Sequence, residues 1–80
     1  MSAPDELISV LFGQRIKQLR EKKCLTQAQL AEAIGVKDER TVRYWEAGIN
    51  APKFANLAAL ARVLGVRMRD LFEFPEHPDL

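Results

Sequence analysis

The fold is decided by Thr26-Gln27-Ala28-Gln29-Leu30-Ala31-Glu32-Ala33-Ile34-Gly35 and, after a short polar turn, Thr41-Val42-Arg43-Tyr44-Trp45-Glu46-Ala47-Gly48. Thr26 and Gln29 have the spacing of a capping box, in which the hydroxyl accepts from a backbone N–H of the first helical turn and the amide reaches back to the cap. Gly35 can adopt the left-handed conformation that ends a helix without a Cβ penalty. The first segment is therefore predicted to be a short helix between these two signals.

The second segment predicts another short helix. Asp38 is its expected N-cap, and Glu39 adds negative charge at the end of the helix where the dipole favours it. Val42 and Trp45 fall on one face and are predicted to be buried. The outward face contains Arg40, Arg43, Tyr44 and Ala47. This largely polar outward stripe requires a functional explanation.

The neighbouring residues extend the pattern in both directions. Around the two helices the chain has Leu25-Thr26-Gln27, Leu30-Ala31, Gly35-Val36, Val42, Trp45-Glu46 and Gly48. Before and after them lie Arg15-Ile16-Lys17, Leu19-Arg20, Pro52, Asn56-Leu57, Leu60-Ala61, Leu64-Gly65-Val66 and Leu71-Phe72. With these residues the chain resembles the phage repressor and Cro family of helix-turn-helix DNA-binding proteins, also called the xenobiotic-response-element family.

The resemblance implies an all-α fold of five helices, in which helices 2 and 3 form the helix-turn-helix. Composition agrees, because Ala, Leu, Glu, Lys and Arg outnumber the β-branched residues and favour helices. The 80 residues suffice for one small domain, which is expected to span residues 1–80. Residues 41–46 also resemble the recognition helix of the mercury-resistance regulators, a minor alternative that requires a winged element after Gly48.

Several function classes are excluded or disfavoured. Cys24 is the only cysteine, so the chain has no intramolecular disulfide or cysteine-rich zinc site and fits a reducing compartment. The only histidine, His77, lies in a tail with Pro75 and Pro78, and we expect neither metal nor cofactor. The apolar run at residues 7–12 is too short for a signal peptide core or a membrane span. A cytoplasmic protein without membrane association is predicted.

The charge is small overall but unevenly distributed. The net charge is +1, whereas residues 14–25 contain five basic residues and one acidic residue. Residues 67–80 contain two basic and four acidic residues. A basic face opposite an acidic tail suits a protein that meets DNA on one side and a protein partner on the other.

The first helix is predicted from about residue 6 to residue 22, with Asp5 as its cap and an N-terminal extension at residues 5–12. Its inner stripe consists of Ile8, Phe12, Ile16 and Leu19. Leu7, Val10 and Leu11 lie off that stripe, and a wider buried face is favoured over a dimer contact. Gly13 costs about 1 kcal/mol relative to Ala in a helix and is a candidate for a bend.

Two departures from the family pattern concern turns. Cys24 stands where the family usually has a glycine in the left-handed conformation, so either the residue is strained or the turn is built differently. The turn Gly35-Val36-Lys37-Asp38 is one residue longer than usual. The added residue can shift or tilt the recognition helix and so alter its base contacts.

The C-terminal third predicts a helix over residues 53–64, with Phe54, Leu57, Leu60, Ala61 and Leu64 facing inward. Gly65 ends it, and a short fifth helix follows at about residues 68–72. Residues 73–80 have two prolines and no periodicity, and a loose tail is predicted.

The resemblance assigns roles to individual residues. Those at base-reading positions, or able to reach bases, are Glu39, Arg40, Thr41, Arg43 and Tyr44. Those at phosphate-contacting positions are Thr26, Gln27, Asn50, Lys53 and the backbone N–H of Phe54. Arg20 and Glu46 match an ion pair that joins the first helix to the third. On chemistry alone, Arg40 suits guanine O6 and N7, and Glu39 suits cytosine N4.

The favoured function is a sequence-specific transcriptional regulator that binds double-stranded DNA as a homodimer. The predicted dimer contacts are Met68, Leu71, Phe72 and Phe74, more apolar side chains than so short a helix can bury alone. The alternative is a protein-interaction module, such as an antitoxin or an assembly subunit. A continuous positive surface joining Gln27, Arg40, Arg43 and Lys53 would discriminate between them. No catalytic constellation is present, so an enzyme is not expected.

Overall fold

A computed structural model describes residues 4–74, in which no β-strand occurs. Its elements are α1 (Pro4–Lys22), α2 (Gln27–Ile34), α3 (Glu39–Glu46), α4 (Phe54–Leu64) and a 3₁₀ helix (Met68–Phe72). The all-α prediction is confirmed, but the structure has four α-helices rather than five. With α4 and no strand between residues 49 and 74, the winged alternative is not supported. Most of the predicted tail, including His77, lies outside the described residues.

The predicted fifth helix is a 3₁₀ helix, in which each backbone hydrogen bond joins residues three apart rather than four. The Asp70 N–H donates to the Arg67 carbonyl at 2.9 Å, three residues back. The Asp70 carbonyl accepts from Arg15 Nε of α1 at 2.9 Å. The Arg15 side chain therefore links α1 to the 3₁₀ helix.

Helix α1 begins earlier than predicted and buries less of its N-terminal part. It already includes Pro4, so Asp5 lies inside the helix and is not its cap. Ile8, predicted to face inward, is 40% exposed, and Val10 is equally exposed, so the wider buried face is wrong there. The physical reason is length: α1 has 19 residues, whereas α3 has 8 and α4 has 11, so the shorter helices cannot cover its N-terminal turns completely.

The core draws on every helix. Side chains that are fully buried are Ile16, Leu30, Val42, Leu60 and Leu71. Burial of each stabilises the fold by about 1.5–3 kcal/mol. Leu71 was predicted to contact a second copy, and this is wrong because its whole side chain lies in the core of its own chain. Trp45 is also buried, at 3% exposure.

Gly13 allows α1 and α3 to approach each other closely. A Cβ atom at this position would lie 2.4 Å from the carbonyl oxygen of Trp45 and 2.6 Å from that of Glu46. Both are backbone atoms, so a side chain could enter only if the two helices separated. The glycine that costs helix propensity is therefore a packing residue.

The structure shows how the two unusual turns, at Cys24 and between Gly35 and Asp38, are built. Cys24 has φ 58°, so the residue does occupy the left-handed conformation. In the longer turn, the Val36 N–H donates to the Ala31 carbonyl at 3.0 Å, and Val36 packs against the core. Asp38 then caps α3. The turn therefore leaves Val42 buried, as the register predicts.

Helix α4 begins at Phe54, with Lys53 as its N-cap residue. Phe54 was predicted to face inward, but it is 79% exposed. It is the first residue of α4, and the contacts with the core begin one turn later at Leu57. The apolar spacing of α4 therefore includes one residue, Phe54, that lies beyond the edge of the core. No helix within residues 4–74 is long and apolar enough to cross a membrane.

Candidate nucleic-acid interface

The N-terminus of α2 is closed by its own side chains. The Gln29 N–H donates to Thr26 Oγ1 at 3.0 Å, and the Thr26 N–H donates to Gln29 Oε1 at 2.8 Å. The capping box inferred from the sequence is therefore present. Thr26, a candidate phosphate contact, uses its backbone N–H and one hydroxyl lone pair for the cap. Its hydroxyl proton is the group that a phosphate could accept.

Helix α3 presents most of the candidate base-reading side chains to solvent. Val42 is fully buried and Trp45 nearly so, which turns the opposite face outward. The exposed residues on α3 are Glu39, Arg40, Arg43 and Tyr44. Thr41 is half-buried and faces a different direction, toward the start of α4.

Arg40 is held by the residue that caps its helix. Asp38 Oδ1 accepts from the Arg40 backbone N–H at 2.9 Å. Asp38 Oδ2 accepts from Arg40 Nε at 3.0 Å and from Arg40 Nη2 at 2.8 Å. The guanidinium and backbone bonds of Arg40 lower the pKa of Asp38, and its side-chain bond to Asp38 raises the pKa of Arg40. The sequence indicated the cap but not the second contact.

A shallow groove brings α3 together with the start of α4. It is lined by Thr41, Trp45, Asn50, Ala51, Lys53 and Asn56. Three of these residues, Thr41, Asn50 and Lys53, were candidates from the sequence, and they meet here. Asn56 was not assigned a role, although its position three residues after Lys53 places both on one helix face. The side chain of Lys53, the N-cap residue, makes no capping hydrogen bond to the first N–H groups of α4.

An ion-pair network links α1, α2 and α3 beneath this surface. Arg20 Nε lies 2.6 Å from Glu46 Oε2, and Arg20 Nη2 lies 3.0 Å from Glu46 Oε1. Arg20 Nη1 donates to the Leu25 carbonyl at 2.7 Å. The hydrogen bonds to Glu46 are the main cause of the raised pKa of Arg20. Its side chain is 10% exposed and that of Glu46 4%, so the pair is almost completely buried.

Gln27 joins the same network at the first position of α2. Its Nε2 donates to Glu46 Oε1 at 3.0 Å, and the residue is half-buried. Because a carboxylate only accepts hydrogen bonds, this contact fixes which end of the amide faces inward. The second N–H of Nε2 and the Oε1 atom remain for an outside partner.

The chain has the architecture of a helix-turn-helix protein, with α2 packed on α3 and an exposed polar face on the second helix. A family model described as helix-turn-helix matches residues 16–71. The chain belongs to this family, of the repressor and Cro type.

Two relatives in sequence illustrate the family. Multiprotein-bridging factor 1 of Candida albicans is 39% identical over 62 residues, which make up 78% of this chain and 40% of that protein. This chain therefore spans less than half the length of the bridging factor. An uncharacterized helix-turn-helix-type transcriptional regulator of Archaeoglobus fulgidus is 37% identical over 62 residues, 78% of this chain and 87% of the regulator.

Two solved structures share the fold. The restriction-modification controller protein C.AhdI of Aeromonas hydrophila matches with a TM-score of 0.73 and 37% identity, over 78% of this chain and 92% of that one. The SOS-response transcriptional repressor LexA of Eubacterium rectale matches with a TM-score of 0.79 and 27% identity, over 88% of this chain and 73% of that one. Fold and sequence therefore both relate the chain to DNA-binding regulators.

Proposed function

We propose that this chain regulates transcription by binding double-stranded DNA sequence-specifically, as a homodimer with α3 of each copy in the major groove. The observation that most directly supports this proposal is the exposed face of α3, which lies next to the groove lined by Thr41, Asn50 and Lys53. The major groove admits one α-helix and presents a distinct donor and acceptor pattern for each base pair. A cytoplasmic location and the absence of a catalytic role belong to the same proposal.

Base reading is assigned to the outward residues of α3. Arg40 is in the first turn and carries the fork of donors that matches guanine O6 and N7. Arg43 and Tyr44 follow on the same exposed face, and Glu39 can accept from cytosine N4. Thr41 lies at the edge toward α4 and can reach a base or the backbone.

Phosphate binding is assigned to the two flanking helix starts. Helix N-termini attract anions because their first N–H groups and the dipole both favour negative charge. The start of α4 has Lys53 as its N-cap residue, no capping side chain, and Asn50 and Asn56 nearby, which suits a phosphate at the N–H of Phe54. At the start of α2, the free amide N–H of Gln27 and the hydroxyl of Thr26 supply the second clamp.

Dimerisation is assigned to the apolar surface beside the 3₁₀ helix. A groove there is lined mainly by apolar residues, among them Ile8, Phe12, Leu57 and Phe72. Ile8 is 40% exposed and Phe72 44% exposed, so both offer area to a second copy. Met68 and Phe74 are half-buried and can add to it, whereas Leu71 cannot. A two-fold dimer would place its recognition helices one DNA turn, about 34 Å, apart.

Selection from a random duplex library tests the proposed function. The full chain is mixed with DNA containing a randomised 20-base-pair core, and bound molecules are sequenced after several rounds. We expect an enriched site with two-fold symmetry and half-sites centred about 10 base pairs apart. A library that emerges without sequence preference would contradict sequence-specific binding.

A second candidate is a bridging role between proteins. It is favoured by the similarity to a multiprotein-bridging factor and by the exposed apolar side chains Ile49 and Phe54, which are 66% and 79% exposed. On this candidate the library experiment yields no enriched site.

A further inference from the structure

The contact between Asp38 and Arg40 uses a specific edge of the guanidinium group. Arginine has five N–H donors: one on Nε and two on each terminal nitrogen. Asp38 Oδ2 takes the Nε proton and one Nη2 proton, at 3.0 and 2.8 Å. These two donors form the side edge of the fork. Both Nη1 protons and the second Nη2 proton are left, and one proton from each nitrogen forms the parallel pair at the tip.

This leftover pair has the geometry that guanine requires. Guanine offers O6 and N7 side by side in the major groove, and the specific arginine contact to it is bidentate. Resting on the proposed function, we propose that Asp38 is a positioning residue for base recognition, which holds Arg40 so that the tip of its guanidinium group meets a guanine. The carboxylate touches no base itself.

The same carboxylate carries two tasks on different oxygens. Oδ1 accepts from the Arg40 backbone N–H and caps α3, whereas Oδ2 binds only the guanidinium group. The Asp38 and Arg40 side chains are 46% and 62% exposed, so the pair is open to DNA and to solvent. A bound arginine side chain has less rotational freedom to lose when it meets a base. Because only guanine offers O6 and N7 to this pair of donors, the smaller entropy cost strengthens binding to the matching duplex and so increases discrimination between bases.

Asp38→Asn separates the two tasks. Asparagine keeps an oxygen for the cap and is an equally good N-cap residue, but it replaces Oδ2 with an amide that cannot accept from arginine. It also removes a negative charge near DNA and should strengthen binding to any sequence. Glu32→Gln is the matched charge control, because Glu32 is exposed and lines the same surface groove as Asp38.

The experiment measures binding of each variant to the duplex selected by the wild-type chain and to single-substitution versions of it. For Asp38→Asn we expect the preference for G·C at one position per half-site to fall by about twofold to tenfold, the effect of freeing one long side chain. Preferences at the other positions and the melting temperature should remain near those of wild type. Glu32→Gln should change affinity for all duplexes equally and leave every preference intact.

Two further variants make the result decisive. In an Arg40→Ala background, Asp38→Asn should have no further effect on that G·C preference, because the side chain it positions is gone. Arg40→Lys, which leaves the cap untouched, should lose the same preference because lysine lacks the planar fork. Unchanged discrimination in Asp38→Asn, or an equal loss in the Arg40→Ala background, would overturn the positioning role. A wild-type chain that selects no sequence would overturn the proposed function and this inference together.

Discussion

Cys24, in the turn after α1, and Gly13, in α1 itself, are two residues whose backbone geometry bears directly on stability. Cys24 takes the left-handed conformation at φ 58°, where a side chain meets the neighbouring carbonyl. Gly13 brings α1 into contact with the backbone at the end of α3. The first is a strained residue that glycine would relieve, and the second is a glycine that no side chain can replace without a shift.

Cys24→Gly is expected to stabilise the protein. Removal of the side chain relieves a left-handed strain of about 1–2 kcal/mol, part of which is offset by the greater freedom of glycine in the unfolded chain. The net gain should be on the order of 0.5–1 kcal/mol in urea unfolding. Cys24→Ala is the control because alanine keeps the Cβ atom and the strain. Equal stability of the two variants would show that the turn relaxes without cost.

Gly13→Ala is expected to destabilise the protein although alanine favours helices by about 1 kcal/mol. The new Cβ atom would meet two backbone carbonyl oxygens at 2.4 and 2.6 Å, so α1 and α3 must separate. Overpacking of this kind costs about 1–3 kcal/mol. Thermal unfolding measures the loss, and Gln14→Ala, at the exposed neighbouring position, should lie within about 0.5 kcal/mol of wild type. A stabilised Gly13→Ala variant would refute the close approach.

Two arginine side chains of α1 join it to α3 and to the 3₁₀ helix. Arg20 reaches Glu46 at the end of α3, and through Glu46 it also orients Gln27 at the start of α2. Arg15 reaches the Asp70 carbonyl of the 3₁₀ helix. Helix α1 thus sets the position of both helices of the helix-turn-helix from behind, while the surface proposed to meet DNA remains free.

Arg20→Met should be strongly destabilising, because it leaves the Glu46 carboxylate buried without its cation. Loss of one partner of a buried pair costs about 3–5 kcal/mol. Denaturant unfolding of the single variant and of the double variant Arg20→Met with Glu46→Leu provides the test. The double variant should recover much of the loss, since no unpaired charge remains. Lys22→Met, at an exposed position of the same helix, should change stability little.

Base reading and phosphate binding should respond differently to substitution. Arg40→Ala is expected to cost about 1–3 kcal/mol on the selected duplex and to relax the preference at one position per half-site. Lys53→Ala should weaken binding to selected and scrambled duplexes alike and reduce the salt slope by about one per half-site. Binding isotherms over a salt series decide between the roles. Equal losses on both duplexes for Arg40→Ala would exclude it as a base reader.

The whole molecule has two surfaces of different character. The exposed face of α3 and the groove at the start of α4 carry mainly polar and charged side chains, with Arg43 and Lys53 both exposed, and Phe54 is exposed beside them. The groove beside the 3₁₀ helix is mainly apolar and includes the rings of Phe12 and Phe72, which are tilted by 33° with their centroids 5.2 Å apart. The first surface is the one that we propose meets DNA, and the second is the one that we propose meets another copy of the chain.

Phe72→Ala is expected to weaken the proposed dimer. The ring is 44% exposed beside Ile8, and its removal deletes apolar area from the contact. Sedimentation velocity over a micromolar concentration series should show a shift toward monomer, and the thermal melt should show that the fold persists. Ile49→Ala removes an even more exposed apolar side chain and should leave the oligomeric state unchanged. A wild-type chain that stays monomeric both free and on its selected duplex would refute the dimer.

The sequence by itself determined the local structure of the helix-turn-helix. The capping box at Thr26, the stop at Gly35 and the cap at Asp38 depend on groups within a few residues of one another, so their chemistry can be read along the chain. The burial of Val42 and Trp45 follows equally from helical periodicity. The resemblance then supplied the pairing of Arg20 with Glu46 across 26 positions.

The tertiary structure decided what depends on where neighbouring elements end. Helical periodicity predicted that Ile8 and Phe54 would be buried, but both are exposed because neighbouring helices do not cover them fully. Leu71 was assigned to a contact with a second copy, but it is fully buried in the core of its own chain. Gly13 could be recognised as a packing residue only once α3 was seen against it. The second bond of Asp38 likewise depends on the direction of the Arg40 side chain, because one rotamer among many brings the two groups together.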